Sequence, residues 1–91
     1  MENAEKIKIN TPFIKLDQFL KFSGTVADGS DAKYLILEGY VKVNGEKEIR
    51  RGRKLYANDN VCVEYEGEKI NLTVCDWYAY RKIIFRKFQK L

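Results

Sequence analysis

Polar and apolar residues alternate from Glu5 to Asn10, which predicts a short edge strand with Ile7 and Ile9 inward. Thr11-Pro12 interrupts it, because proline has no N–H for a ladder and suits the first turn of a helix. The spacing then changes. Phe13, Leu16, Phe19 and Leu20 fall on one helical face, so a helix is expected from Phe13 to Ser23, with Gly24 as its stop. Thr25 to Gly29 reads as a connector. Ser30 or Asp31 can cap a second helix whose apolar face is Ala32, Leu35 and Ile36, closed by Gly39. Helices this short are marginal alone and must pack on each other or on a sheet.

Alternation returns at Tyr40 to Asn44, with Val41 and Val43 inward and Lys42 outward. Asn44-Gly45 is the strongest turn signal in the chain. Glu46 to Leu55 contains the cluster Arg50, Arg51, Gly52, Arg53, Lys54, and Asn58-Asp59-Asn60 marks another turn. Val61 to Glu66 and Lys69 to Cys75 read as a hairpin about Gly67. In the tail, Trp77, Tyr80, Ile84, Phe88 and Leu91 repeat at helical spacing, opposite Lys82, Arg86 and Lys90. This predicts an amphipathic helix with a basic face, capped by Asp76; the β-prone run Ile83-Ile84-Phe85 leaves a strand as the alternative. Two short helices among several short strands predict the α+β class. Residues 1–75 form one domain, and residues 76–91 form a basic aromatic extension.

Composition narrows what such a domain can do. With 91 residues there is room for one domain, and a deep cleft with its own supporting shell is hard to fit. The formal charge of +4 favours a polyanionic partner, although where the cations lie matters more than their sum. Histidine is absent, which removes the commonest general base. Cys62 and Cys75 lack metal-ligand spacing and read as small buried residues in strands; a disulfide between them is the lesser reading. No metal, cofactor or enzymatic activity is expected. The N-terminus shows no apolar signal segment and no run is long enough to span a bilayer, so a cytoplasmic monomer without membrane contact is the expectation.

The stretch Lys15-Leu16-Asp17, Phe19-Leu20, Ala32-Lys33, Leu35-Ile36, Glu38-Gly39 and Val41-Lys42-Val43-Asn44-Gly45 resembles the S4 domain. That family reads roughly R-L-D, a helix, S-R-x-x-A, L-I, G, then V-x-V-N-G. The resemblance continues to Asn58-Asp59-Asn60-Val61 and covers about residues 14–74. Gly29 to Lys33 and Arg50 to Leu55 are similar to the small stand-alone bacterial branch, the YaaA/YbcJ-like proteins. The resemblance implies an α-L fold, two helices against a small, mainly antiparallel sheet, that binds RNA through its helix pair and an adjacent strand loop, without catalysis. Two departures stand out. Asp28-Gly29 occupies the place of the family's Ser-Arg, which should weaken a phosphate contact there, and Lys15 replaces an arginine, losing the bidentate fork.

Gripping RNA requires cations spaced to meet phosphates. The candidates are Lys15 and Lys21 on the first helix, Ser30 and Lys33 at the start of the second, Lys42 and Asn44 on the strand and its turn, and Arg50, Arg51, Arg53 and Lys54. In the expected fold they converge on one side, and the second helix offers free N–H groups to a phosphate. Arginines pair bidentately with phosphate, so the cluster is the sharpest local signal; its bland reading is a solvated loop that limits aggregation of nearby strands. Tyr34 and Tyr40 could stack on bases, but packing at the helix–strand junction is the simpler reading. The leading function is non-catalytic binding of structured RNA, ribosomal or tRNA-like. The alternative is a protein-interaction adaptor, on the ribosome or a nucleic-acid-processing complex, that docks through the aromatic tail.

Overall fold

The computed structural model describes residues 4–76. Strands β1 (Glu5–Ile9), β3 (Val41–Val43), β4 (Glu46–Lys47), β6 (Asn60–Tyr65) and β7 (Glu68–Asp76) form one sheet in the order β1-β7-β6-β3-β4. Its pairings are antiparallel except that of β1 with β7, which is parallel. A second, two-stranded ribbon joins β2 (Ile14–Lys15) to β5 (Lys54–Leu55). Helices α1 (Leu16–Phe22) and α2 (Gly29–Leu37) pack together over one face of the sheet.

The core explains why the strands alternate. Val41 and Val43 of β3, Val61 and Val63 of β6, and Leu72 and Val74 of β7 point toward the helices, where they meet Leu16, Phe19 and Leu20 of α1 and Ala32, Leu35 and Ile36 of α2. Burying each such side chain contributes about 1.5–3 kcal/mol, which holds helices of this length in place. Both tight turns have two residues at positive φ: Asn44 and Gly45 between β3 and β4, Glu66 and Gly67 between β6 and β7. That backbone matches the right-handed twist of the flanking strands.

Two sequence expectations need correction. The first helix begins at Leu16, not Phe13, because Ile14 and Lys15 are extended and pair with Leu55 and Lys54. The second helix is capped by Asp28, whose carboxylate accepts from the Asp31 N–H, and not by Ser30 or Asp31. Asp76 ends β7 opposite Ile9, and its expected role as a cap depends on the residues that follow it. The expected amphipathic helix itself lies outside the described residues. Cys62 and Cys75 are free thiols.

Asn44 also ties two turns together. Its side-chain Nδ2 donates to Asp59 Oδ1 at 3.1 Å, and its Oδ1 accepts from the Asn60 N–H at 2.9 Å. Asn44→Ala removes both bonds and places alanine at φ +52°. We expect a loss of about 1–2 kcal/mol in urea unfolding, with Asn44→Gly losing less because glycine relieves the backbone cost.

Candidate nucleic-acid interface

The ribbon and α1 form one construction. The N–H groups of Leu16 and Asp17, which open α1 and have no partner within it, donate to the carbonyls of Arg53 at 2.8 Å and Arg51 at 3.1 Å. The arginine loop is therefore fastened to the start of α1 by backbone bonds. Lys15 and Lys54 face each other across the ribbon, both exposed, while their neighbour Leu55 enters the core. Lys54 Nζ stands 4.8 Å from the centre of the Phe13 ring, a cation–π contact. Phe13 in turn packs against the half-exposed Tyr56, with ring centroids 6.0 Å apart.

Beneath this cluster lies Glu48, the one buried charged side chain among the described residues. Its Oε2 accepts from the Arg50 backbone N–H and Nε, each at 3.0 Å. Its Oε1 accepts from Arg50 Nη2 at 2.9 Å and Arg53 Nη1 at 2.8 Å. The Arg50 hydrogen bonds, with those of Arg53, outweigh the opposing effect of burial and hold the Glu48 carboxyl down at about 2. Arg50 is pushed the other way, above its usual value, by the same carboxylate. Arg51 makes a looser pair with Asp17 at 3.5 Å.

Each of the three arginines expected to contact RNA has a carboxylate partner within the domain. Arg50 nevertheless keeps 73% of its side-chain surface exposed and Arg51 45%. A guanidinium has five N–H donors. Two of those on Arg50 are spent on Glu48, which fixes the plane of the group and leaves the others for a ligand.

The sequence candidates do not all converge. Lys15, Arg50, Arg51, Arg53 and Lys54 gather at the ribbon, and Lys21 lies one turn beyond Asp17 on α1. Ser30 and Lys33 are exposed on α2, but Asp28 takes a backbone N–H of that terminus and Asp31 stands in its first turn, so it is not the open phosphate site expected. Lys42 alternates with buried Val41 and Val43, which directs it to the sheet face away from the helices. Asn44 is engaged between turns as described above. Tyr34 and Tyr40 pack with Tyr65, their centroids 6.1 and 4.8 Å from its own. The hydrogen bond between Tyr34 and Tyr65 raises the Tyr34 hydroxyl above its usual value.

Sequence reasoning missed Glu48, Phe13 and Tyr56 as parts of this site. The available signal for Glu48 was an acid two residues before an arginine run. The aromatic tail on which the adaptor reading rests lies outside the described residues. Among the described residues no group of acidic, histidine or cysteine side chains could hold a metal, and no helix is long and apolar enough to cross a membrane.

Comparison with known proteins agrees with this architecture. A family model described as the S4 domain matches residues 7–73. Over 64 residues, 70% of this chain and 87% of the relative, the sequence is 47% identical to a probable ribosome maturation protein, RlbA, of Bacillus subtilis (strain 168). The solution structure of YbcJ from E. coli, described as having an αL motif involved in RNA binding, is 31% identical with a TM-score of 0.54. That match covers 80% of this chain and 91% of YbcJ.

Proposed function

The chain belongs to the S4 domain family, and from that premise we propose that it binds structured RNA, ribosomal in origin, without catalysing any reaction on it. The contact surface is the ribbon and the start of α1: Lys15, Lys21, Arg50, Arg51, Arg53 and Lys54, with Ser30 and Lys33 extending it along α2. The observation that carries the reading is the Glu48 anchor. A buried carboxylate that orients two arginines, one of them largely exposed, builds a fixed donor fork rather than a solvated loop. Such a fork suits phosphate, which arginine meets through parallel N–H bonds. Six cations face two carboxylates here, so the surface stays basic after the ion pairs are counted.

Phe13 and Tyr56 fit the same reading, because an aromatic pair beside Lys54 offers a face on which an unpaired base can stack. In this proposal the protein works as a cytoplasmic monomer in ribosome maturation, the role named for its Bacillus relative.

Titration of an RNA hairpin and a DNA hairpin of matched sequence, followed by fluorescence anisotropy over a range of salt, tests this. The RNA is expected to bind tighter, with an affinity that falls steeply with salt and a slope corresponding to about four to six phosphate contacts. Crosslinking in cells should recover ribosomal RNA. Equal affinity for both hairpins, or no recovered RNA above background, contradicts the proposal.

A further inference from the structure

The sheet face turned away from the helices has a composition that the ribbon site does not explain. Register places Lys47, Lys42, Cys62 and Asn71 side by side across β4, β3, β6 and β7. Next to that row lie the paired Glu64 and Lys69 and the paired Asn60 and Thr73. Tyr40, Lys42, Asn60, Cys62, Lys69 and Asn71 line an open groove of about 570 Å³.

Lys42 and Lys47 are the informative pair. They are directly opposed on antiparallel strands, an arrangement of like charges that costs stability. Edge strands often carry lysine to prevent association, and β4 is an edge, so that reason covers Lys47. It does not cover Lys42, since β3 lies inside the sheet between β4 and β6. Lys47 is also placed. Gly39, at φ +88°, lines the groove, and a Cβ added there would stand 3.3 Å from Lys47 Nζ. The bare glycine leaves room for the lysine stem to lie along the groove's rim. Lys42 and Lys69 line the groove with Glu64, Lys47 stands beside Gly39 at its rim, and Glu38 and Glu66 lie near Tyr40, so the lysines concentrate at the Lys42–Lys47 end.

We propose that this open sheet face is a second anion-binding surface, where Lys42 and Lys47 hold the phosphate backbone of the same RNA that engages the ribbon. The inference rests on the RNA-binding reading above. Two surfaces on opposite sides of the sheet let one small domain hold two segments of a folded RNA. The groove selects for backbone rather than base, because its polar lining of lysine and asparagine offers charge and hydrogen bonds, with Tyr40 its one aromatic among the described residues.

The test uses the full chain and two RNA probes: a hairpin alone, and the same hairpin with a single-stranded extension of about 15 nucleotides. Lys42→Gln/Lys47→Gln is compared with wild type. For the extended probe the double variant is expected to lose about tenfold in affinity and to lower the salt slope by about 1.4, equivalent to two single-strand phosphate contacts. The hairpin alone should change less than about twofold. Both lysines are exposed, so circular dichroism should report an unchanged fold. If wild type binds the extended probe and the double variant binds it equally well, the second surface is refuted while the ribbon reading stands. If wild type binds neither probe, both fall. Binding to phosphatidylserine vesicles that depends on Lys42 and Lys47, with RNA binding unaffected, assigns the face to a membrane and also overturns the proposal.

Discussion

Replacing Glu48 with alanine is expected to destabilise the domain by about 2–3 kcal/mol and to lower its Tm by on the order of 10 °C. The carboxylate accepts four hydrogen bonds, from the Arg50 backbone, from two nitrogens of the Arg50 guanidinium and from Arg53. Without it the Arg50 N–H loses its partner and Arg53, whose side chain is only 30% exposed, loses its counter-charge. The estimate sits at the low end for a broken buried pair because Arg50 can rehydrate. The loop would lose its internal anchor and keep only its backbone bonds and the Arg51–Asp17 pair to α1, so RNA affinity should fall with stability.

The same group sets an acid limit. Glu48 has its carboxyl at about 2 in the folded protein, well below the ordinary 4.5. A depressed carboxylate adds stability that is complete above the unfolded value and is lost as pH falls through the folded one. Wild type should therefore weaken between about pH 5 and pH 2, with Glu48 responsible for about 2 kcal/mol of the decline. Glu48→Gln should be less stable at neutral pH and should vary less across that window. Thermal unfolding of the two proteins between pH 2 and pH 7 checks it. Parallel curves would show that the Glu48 ion pairs contribute nothing to folding.

This anchor changes how the arginine cluster must be probed. Removing Arg50, Arg51 and Arg53 together would leave Glu48 buried without a counter-charge. A loss of binding in that variant would mix unfolding with lost contact. Glu48 is also the clearest example of what the sequence does not disclose. Its N–H donates to the Val41 carbonyl at 3.0 Å and its carboxylate is enclosed by Arg50 and Arg53 from the loop that follows, contacts close in sequence that no hydrophobic repeat marks.

Other features were legible because their causes are local. Val41-Lys42-Val43 alternates as a strand with one buried face must, and Asn44-Gly45 supplies the two positive φ values of its turn. Ala32, Leu35 and Ile36 mark the buried stripe of α2 at helical spacing. The start of α1 was misplaced because Phe13 fits the helical stripe as well as it fits a strand flank. The decision is made by Lys54 and Leu55, some forty residues along, which draw Ile14 and Lys15 into the ribbon. The cap of α2 was missed because Asp28, Ser30 and Asp31 all have capping side chains, and local chemistry alone does not choose among them. The division of cations between two faces follows the same rule. Each lysine's exposure was readable, but which side it faces depends on how the sheet and helices pack.

The central claim is that the ribbon's cations contact RNA, and it is tested most directly with those that Glu48 does not hold. In Lys15→Gln/Arg51→Gln/Lys54→Gln the Glu48 anchor stays complete, and each removed charge is exposed, so Tm should shift by no more than a few degrees. Titrating a ribosomal RNA hairpin over a range of salt should then show affinity reduced at least about thirtyfold and a salt slope lower by about two to three. Wild-type affinity and slope in a variant with unchanged Tm would contradict the account.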